Sequence, residues 1–86
     1  MQKEPNPPFA VEIIDTVPVE VKNPYTKQAV TLQPTAIAVY DCIKGAEMMA
    51  NAQKIDDGGH ELWVTVRDGV QWFREHYPKE YMVLLD

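Results

Sequence analysis

His60 and His76 are the only histidines in the chain, and Cys42 is its only cysteine. These residue types supply most general bases, metal ligands and thiolate nucleophiles, so their placement is the first test for catalysis. Both histidines fall on one predicted helix, about 24 Å apart at a rise of ~1.5 Å per residue. On a straight helix they cannot share a metal ion within one subunit. His60 has Asp56, Asp57 and Glu61 as neighbours, a mixed set that could ligate a cation. Aspartates beside paired glycines ordinarily solvate a turn, however, and this order lacks the spaced alternation of a calcium loop. Cys42 lies in an Ala-rich helix, where a lone thiol behaves as a small apolar side chain. The chain has no serine, and Thr16, Thr26, Thr31, Thr35 and Thr65 stand beside no predicted base. That removes serine nucleophiles and leaves threonine without an activator.

His76 follows Trp72 by four positions and precedes Tyr77. It could act as a general base next to an aromatic platform, but no paired carboxylate or activated nucleophile is nearby. A histidine at a helix C-terminus also suits the dipole there. Arg67 and Arg74 share one flank of the same helix and could clamp a phosphate or carboxylate through bidentate hydrogen bonds. The competing reading is that they border the core and pair with acids such as Asp68 and Glu75. Gly58–Gly59 lacks the Lys and Ser/Thr that follow in a phosphate-binding loop. No catalytic, cofactor-binding or metal site is assigned on these grounds, and an enzyme is not expected.

A chain of 86 residues makes one domain. It is 45% hydrophobic and 24% charged, the balance of an ordinary soluble globular protein rather than a disordered one. The net charge is −5 and the Lys and Arg residues are scattered. Phosphate neutralisation needs clustered cations, so nucleic acid is not an expected partner. The opening MQKEPNPPF has no apolar run of signal-peptide type, and no stretch is long enough to span a bilayer. The expectation is a cytoplasmic protein with no membrane partner.

Residues 1–8 contain three prolines and no periodicity, and read as an extended or mobile arm ahead of a single domain over residues 9–86. Phe9, Val11 and Ile13 alternate as a short strand would, and Val17, Val19 and Val21 repeat the pattern with Glu20 and Lys22 opposite. Pro18 cannot donate to a ladder, so it belongs at a strand start or on an edge. Asn23–Pro24–Tyr25–Thr26–Lys27 is a turn: Pro24 presets φ and Asn23 can bond the backbone two residues on. Val30 and Leu32 then face the core from a second strand. Gln33–Pro34–Thr35 opens a helix that runs to about Gln53. Asp56–Asp57–Gly58–Gly59 breaks it, and a second helix runs from His60 or Glu61 to Tyr77, before Pro78. Thr65 and Asp68 also fit a capping box, which would start that helix later. Residues after Pro78 form a last short helix or, alternatively, a strand. The fold class is α+β: an N-terminal β-hairpin packed on two antiparallel α-helices with a short C-terminal helix.

Both long helices carry a second set of apolar residues. Leu62, Val66, Val70, Phe73 and Tyr77 make one stripe, while Trp72 lies toward the other side among Glu61, Thr65, Asp68 and His76. On the first helix Val39, Ile43, Ala46 and Ala50 form the stripe, and Ile37 and Met48 point away. Either the rest of this chain covers these second faces or another subunit does, since Trp, Tyr, Met and Arg are enriched at interfaces. Ile37, Met48, Val64, Trp72 and His76 are therefore the candidate interface. Arg67 and Arg74 are the candidate anion site.

At VKNPYTKQ, IKGAEMM and VRDGVQWFREHYPKEYMVLLD the chain resembles small uncharacterised proteins of tailed bacteriophages, marine phages among them. The likeness spans residues 20–86 and carries no activity or site residues. It implies an accessory protein made in an infected bacterial cell. The expected function is a non-enzymatic interaction module that binds another protein or a second copy of itself. The alternative is a binder of a phosphate- or carboxylate-bearing small molecule, or a minor enzyme, using Trp72, His76 and Arg74.

Overall fold

Asn23 organises the front of the molecule. Its Oδ1 accepts from the Tyr25 N–H at 2.8 Å and the Thr26 N–H at 3.3 Å, which closes the expected Asx turn. The turn joins β1 (Val19–Lys22) to β2 (Ala29–Leu32) in an antiparallel pair with Val19 opposite Leu32 and Val21 opposite Val30. Lys27 takes a left-handed φ of 67° to bring the chain round, and its N–H donates to the Asn23 carbonyl at 2.9 Å. The computed structural model describes residues 4–85.

Three helices follow: α1 (Pro34–Ala52), α2 (Glu61–His76) and α3 (Pro78–Leu84). Pro34 and Pro78 each occupy a first helical turn, where a missing N–H costs nothing. α1 ends as Lys54 enters the left-handed region at φ 55°, with the Ile55 N–H reaching back to the Ala50 carbonyl at 3.0 Å. That paired closure lets the chain reverse without a glycine at the turning point. Trp63 then donates its indole N–H to the Ile55 carbonyl at 2.7 Å and ties the start of α2 to the link. His60 caps α2 by accepting the Leu62 N–H on Nδ1 at 3.2 Å. The helix therefore starts early, and Thr65, inside it, bonds the Glu61 carbonyl instead of capping. The C-terminal segment is helix, not strand.

α1 and α2 run antiparallel, because Ile43 meets Gly69 while Tyr40 meets Phe73 in an edge contact at 6.5 Å. Gly69 is what lets them approach. A Cβ there would collide with Ile43 Cγ1, sit 2.7 Å from its Cδ1 and touch Phe9 Cζ at 3.4 Å. Around this crossing the core gathers Leu32, Val39, Ile43, Phe73 and Leu84. The hairpin is fastened to α3 by Asn23 Nδ2, which donates to the Val83 carbonyl at 2.8 Å.

Several expectations are corrected. Residues 9–13 form no strand; Phe9 and Val11 spend their apolar side chains on the helices, and Pro7 and Pro8 offer no ladder donors. Val17 stays exposed ahead of β1 rather than facing the core. Ile37 is core, only 7% exposed. The burial of α2 is centred on Gly69, Trp72 and Phe73, while Leu62, Val66, Val70 and Tyr77 are half-buried. Adjacent residues on a helix lie about 100° apart, so Trp72 flanks the Phe73 face instead of opposing it.

Candidate functional site

Trp72 is covered by its own chain. Residues 4–8, without regular secondary structure, pass over α2, and the indole N–H donates to the Asn6 carbonyl at 2.6 Å. The ring is 5% exposed and packs edge-on against Phe73 at 5.2 Å. Glu4 holds the same segment from its other end. One carboxylate oxygen accepts from the Thr35 N–H at 3.0 Å, supplying a cap that the Gln33 side chain does not make. The other accepts the Tyr77 hydroxyl at 3.2 Å. Burial, then the Glu4 charge and this hydrogen bond, with Glu80 beyond, push the Tyr77 phenol up to about 12. Of the expected arm over residues 1–8, residues 1–3 lie outside the described residues and residues 4–8 dock as a strap; Trp72 and Ile37 are buried and leave the set of interface residues.

The remaining candidates disperse. His76 is exposed, its ring tilted against Trp72 at 5.6 Å, with no hydrogen-bond partner among the described residues. Val64 is half-buried on the first turn of α2. Arg67 and Arg74 do converge on one shallow cleft of about 300 Å3, but Glu75 lines it with them. Arg67 lies 4.0 Å from the Asp68 carboxylate. Arg74 stacks over Tyr81 at 5.3 Å and donates to its hydroxyl at 3.3 Å. Both guanidiniums are already engaged by this chain, and an acid faces the space an anion would take.

Met48 is different: it is 72% exposed and stands on the rim of a groove of about 670 Å3. The hairpin turn supplies one wall through Tyr25, α1 the other through Tyr40, Lys44, Glu47 and Met48, and Ile43, Val70, Leu84 and Leu85 line it with apolar side chains. Tyr25 is 92% exposed, an aromatic held out by a turn that needs none at that position. Lys44 places its ammonium 5.8 Å from the Tyr40 ring centroid, and Glu47 lies a turn beyond. Tyr40 is shifted upward by burial and by Asp41 and Glu47, and Asp41 by burial and by Asp15. Acceptors, one ammonium and apolar lining suit binding; no activated nucleophile or poised base lies among them.

Among the described residues, no three His, Cys, Asp or Glu side chains gather closely enough to hold a metal ion, and no helix is long and apolar enough to cross a membrane. Sequence reasoning passed over Tyr25, Tyr40 and Glu4. Tyr25 had a signal, an aromatic in a Pro-Tyr-Thr turn; Glu4, in a proline-rich arm, had none.

No protein-family model matches the chain, and neither a curated protein nor a solved structure matches it.

Proposed function

We propose that this chain is a non-enzymatic interaction module that holds an apolar side chain of a partner protein in the groove between the hairpin turn and α1. The observation that carries the reading is the pair Met48 and Tyr25, solvent-exposed on the two walls of an apolar-lined groove. Methionine adapts its shape to an incoming surface, and aromatic rims supply contact area at small entropic cost. Lys44, which lines the groove together with Glu47, can pair with an acidic residue next to the partner's apolar anchor. On the resemblance to tailed-phage proteins, the partner we propose is a protein of an infected bacterial cell's cytoplasm.

A peptide-display selection on the immobilised chain tests the proposal. Sequences pairing an apolar anchor with Asp or Glu are expected to enrich, with binding weakened at least about tenfold by Met48→Glu or Tyr25→Ala and unchanged by Arg67→Ala. Failure to enrich, or binders indifferent to Met48, rejects it. The small-molecule reading has one observation in its favour, the cleft of about 300 Å3 that Arg67 and Arg74 line together. Thermal stabilisation by phosphate- or carboxylate-bearing compounds, lost on Arg74→Ala and kept in Met48→Glu, would support the Trp72–His76–Arg74 surface instead.

A further inference from the structure

Among the described residues, strand β1 pairs on one side only, with β2. The Asn23 N–H points to β2, donating to the Gln28 carbonyl at 2.8 Å. Backbone groups change sides at each successive residue of an antiparallel strand, so Val21 and Val19 also face β2. Glu20 and Lys22 then direct their N–H and C=O groups outward, and no described residue hydrogen-bonds to them there. The side chains of both are exposed, as are Ile13, Ile14 and Val17 on the extended approach to the strand.

We propose that the outer edge of β1 is a homodimer interface, paired antiparallel with β1 of a second copy of this chain. The inference is independent of the groove. A two-fold contact of this kind must match outward residues with outward residues, which leaves few registers. Glu20 opposite Glu20, or Lys22 opposite Lys22, sets like charges face to face and is disfavoured. Glu20 opposite Lys22 satisfies both backbones, forms the same ion pair twice and brings the two Val21 residues together on the core-facing side. The order Val-Glu-Val-Lys is therefore self-complementary in one register and repulsive in its neighbours. Edge strands that resist pairing carry charges that repel an incoming strand; this edge carries both signs in the order that a second copy satisfies. Pro18, without an N–H, ends the ladder at one end, and α3 packs against β2. The product is a four-stranded sheet of order β2-β1-β1-β2 with α3 against each outer strand.

Sedimentation equilibrium of the full chain over a wide concentration range reads the outcome, with circular dichroism confirming the fold of each variant. The wild-type chain is expected to dimerise. Glu20→Lys and Lys22→Glu should each weaken association by roughly tenfold or more, because each turns two attractive cross-strand pairs into repulsive ones. Combining the two changes in one chain, or mixing the two single variants, should restore dimers. A monomeric wild type at the highest concentration reached, dimers indifferent to either single reversal, or failure of the combined variant to re-associate overturns the proposal.

Discussion

The Trp72 indole donates to the Asn6 carbonyl at 2.6 Å, joining positions 66 residues apart. An apolar ring that would otherwise face water is thereby drawn into the core by a segment with no regular secondary structure. The tie also satisfies the one polar atom of the indole, which a buried tryptophan needs.

Removal of residues 1–8 is expected to uncover the ring. The loss of the hydrogen bond and of apolar burial should cost about 1–3 kcal/mol in a denaturation experiment. In a Trp63→Phe background, where Trp72 is the sole indole, its fluorescence emission should move to longer wavelength. An unshifted spectrum would mean that the strap is not what shields it.

Ile37 and Met48 should separate cleanly by stability. Ile37 is buried and belongs to the core cluster, so Ile37→Ala should cost about 2–5 kcal/mol. Met48 is exposed, and Met48→Ala should stay within about 0.5 kcal/mol of wild type. Urea titration of both variants checks this, and equal costs would contradict the placement of the two side chains.

Gly69→Ala meets Ile43 directly. Better helix propensity favours alanine by about 1 kcal/mol, but forcing the two helices apart costs about 1–3 kcal/mol, so net destabilisation is expected. Ile43→Val in the same chain should recover part of it, giving a non-additive double-mutant cycle. Strict additivity would show that the two residues do not touch.

Tyr77 makes stability fall in alkali. Its phenol rises from an ordinary 10.0 to about 12 because burial, then Glu4, disfavours the phenolate. The folded state holds its proton more tightly than the unfolded state, so this contribution is complete below pH 10 and is lost as pH climbs toward about 12. Tyr77→Phe should flatten the decline over that window, and Glu4→Gln should lower the phenolate absorbance midpoint of Tyr77. A midpoint unmoved by Glu4→Gln would separate the two groups.

The helices were legible because each is bounded by local chemistry. Pro34 and Pro78 fix two starts, and the Asp-Asp-Gly-Gly break and His60 fix the third. The hairpin was legible through the Asn23 turn. What was hidden depended on contacts between distant residues. Nothing local tells Glu4 to cap α1, so Trp72 looked unaccounted for. Gly69, a weak helix former, looked incidental until Ile43 lay against it. The groove escaped for a related reason: it is assembled from Tyr25, Met48 and Leu84, which come from three elements, and no periodicity in one element reveals a wall shared by several.

The double grip of Glu4 on Thr35 and Tyr77 also imposes an order of events. The Glu4 end of the strap has partners 31 and 73 residues away, so it cannot be seated until both the start of α1 and the end of α2 are in place. Closing so long a loop is entropically slow, so this grip is a late step of folding. Under mechanical or thermal stress the sequence of steps reverses, and that end is the first to let go.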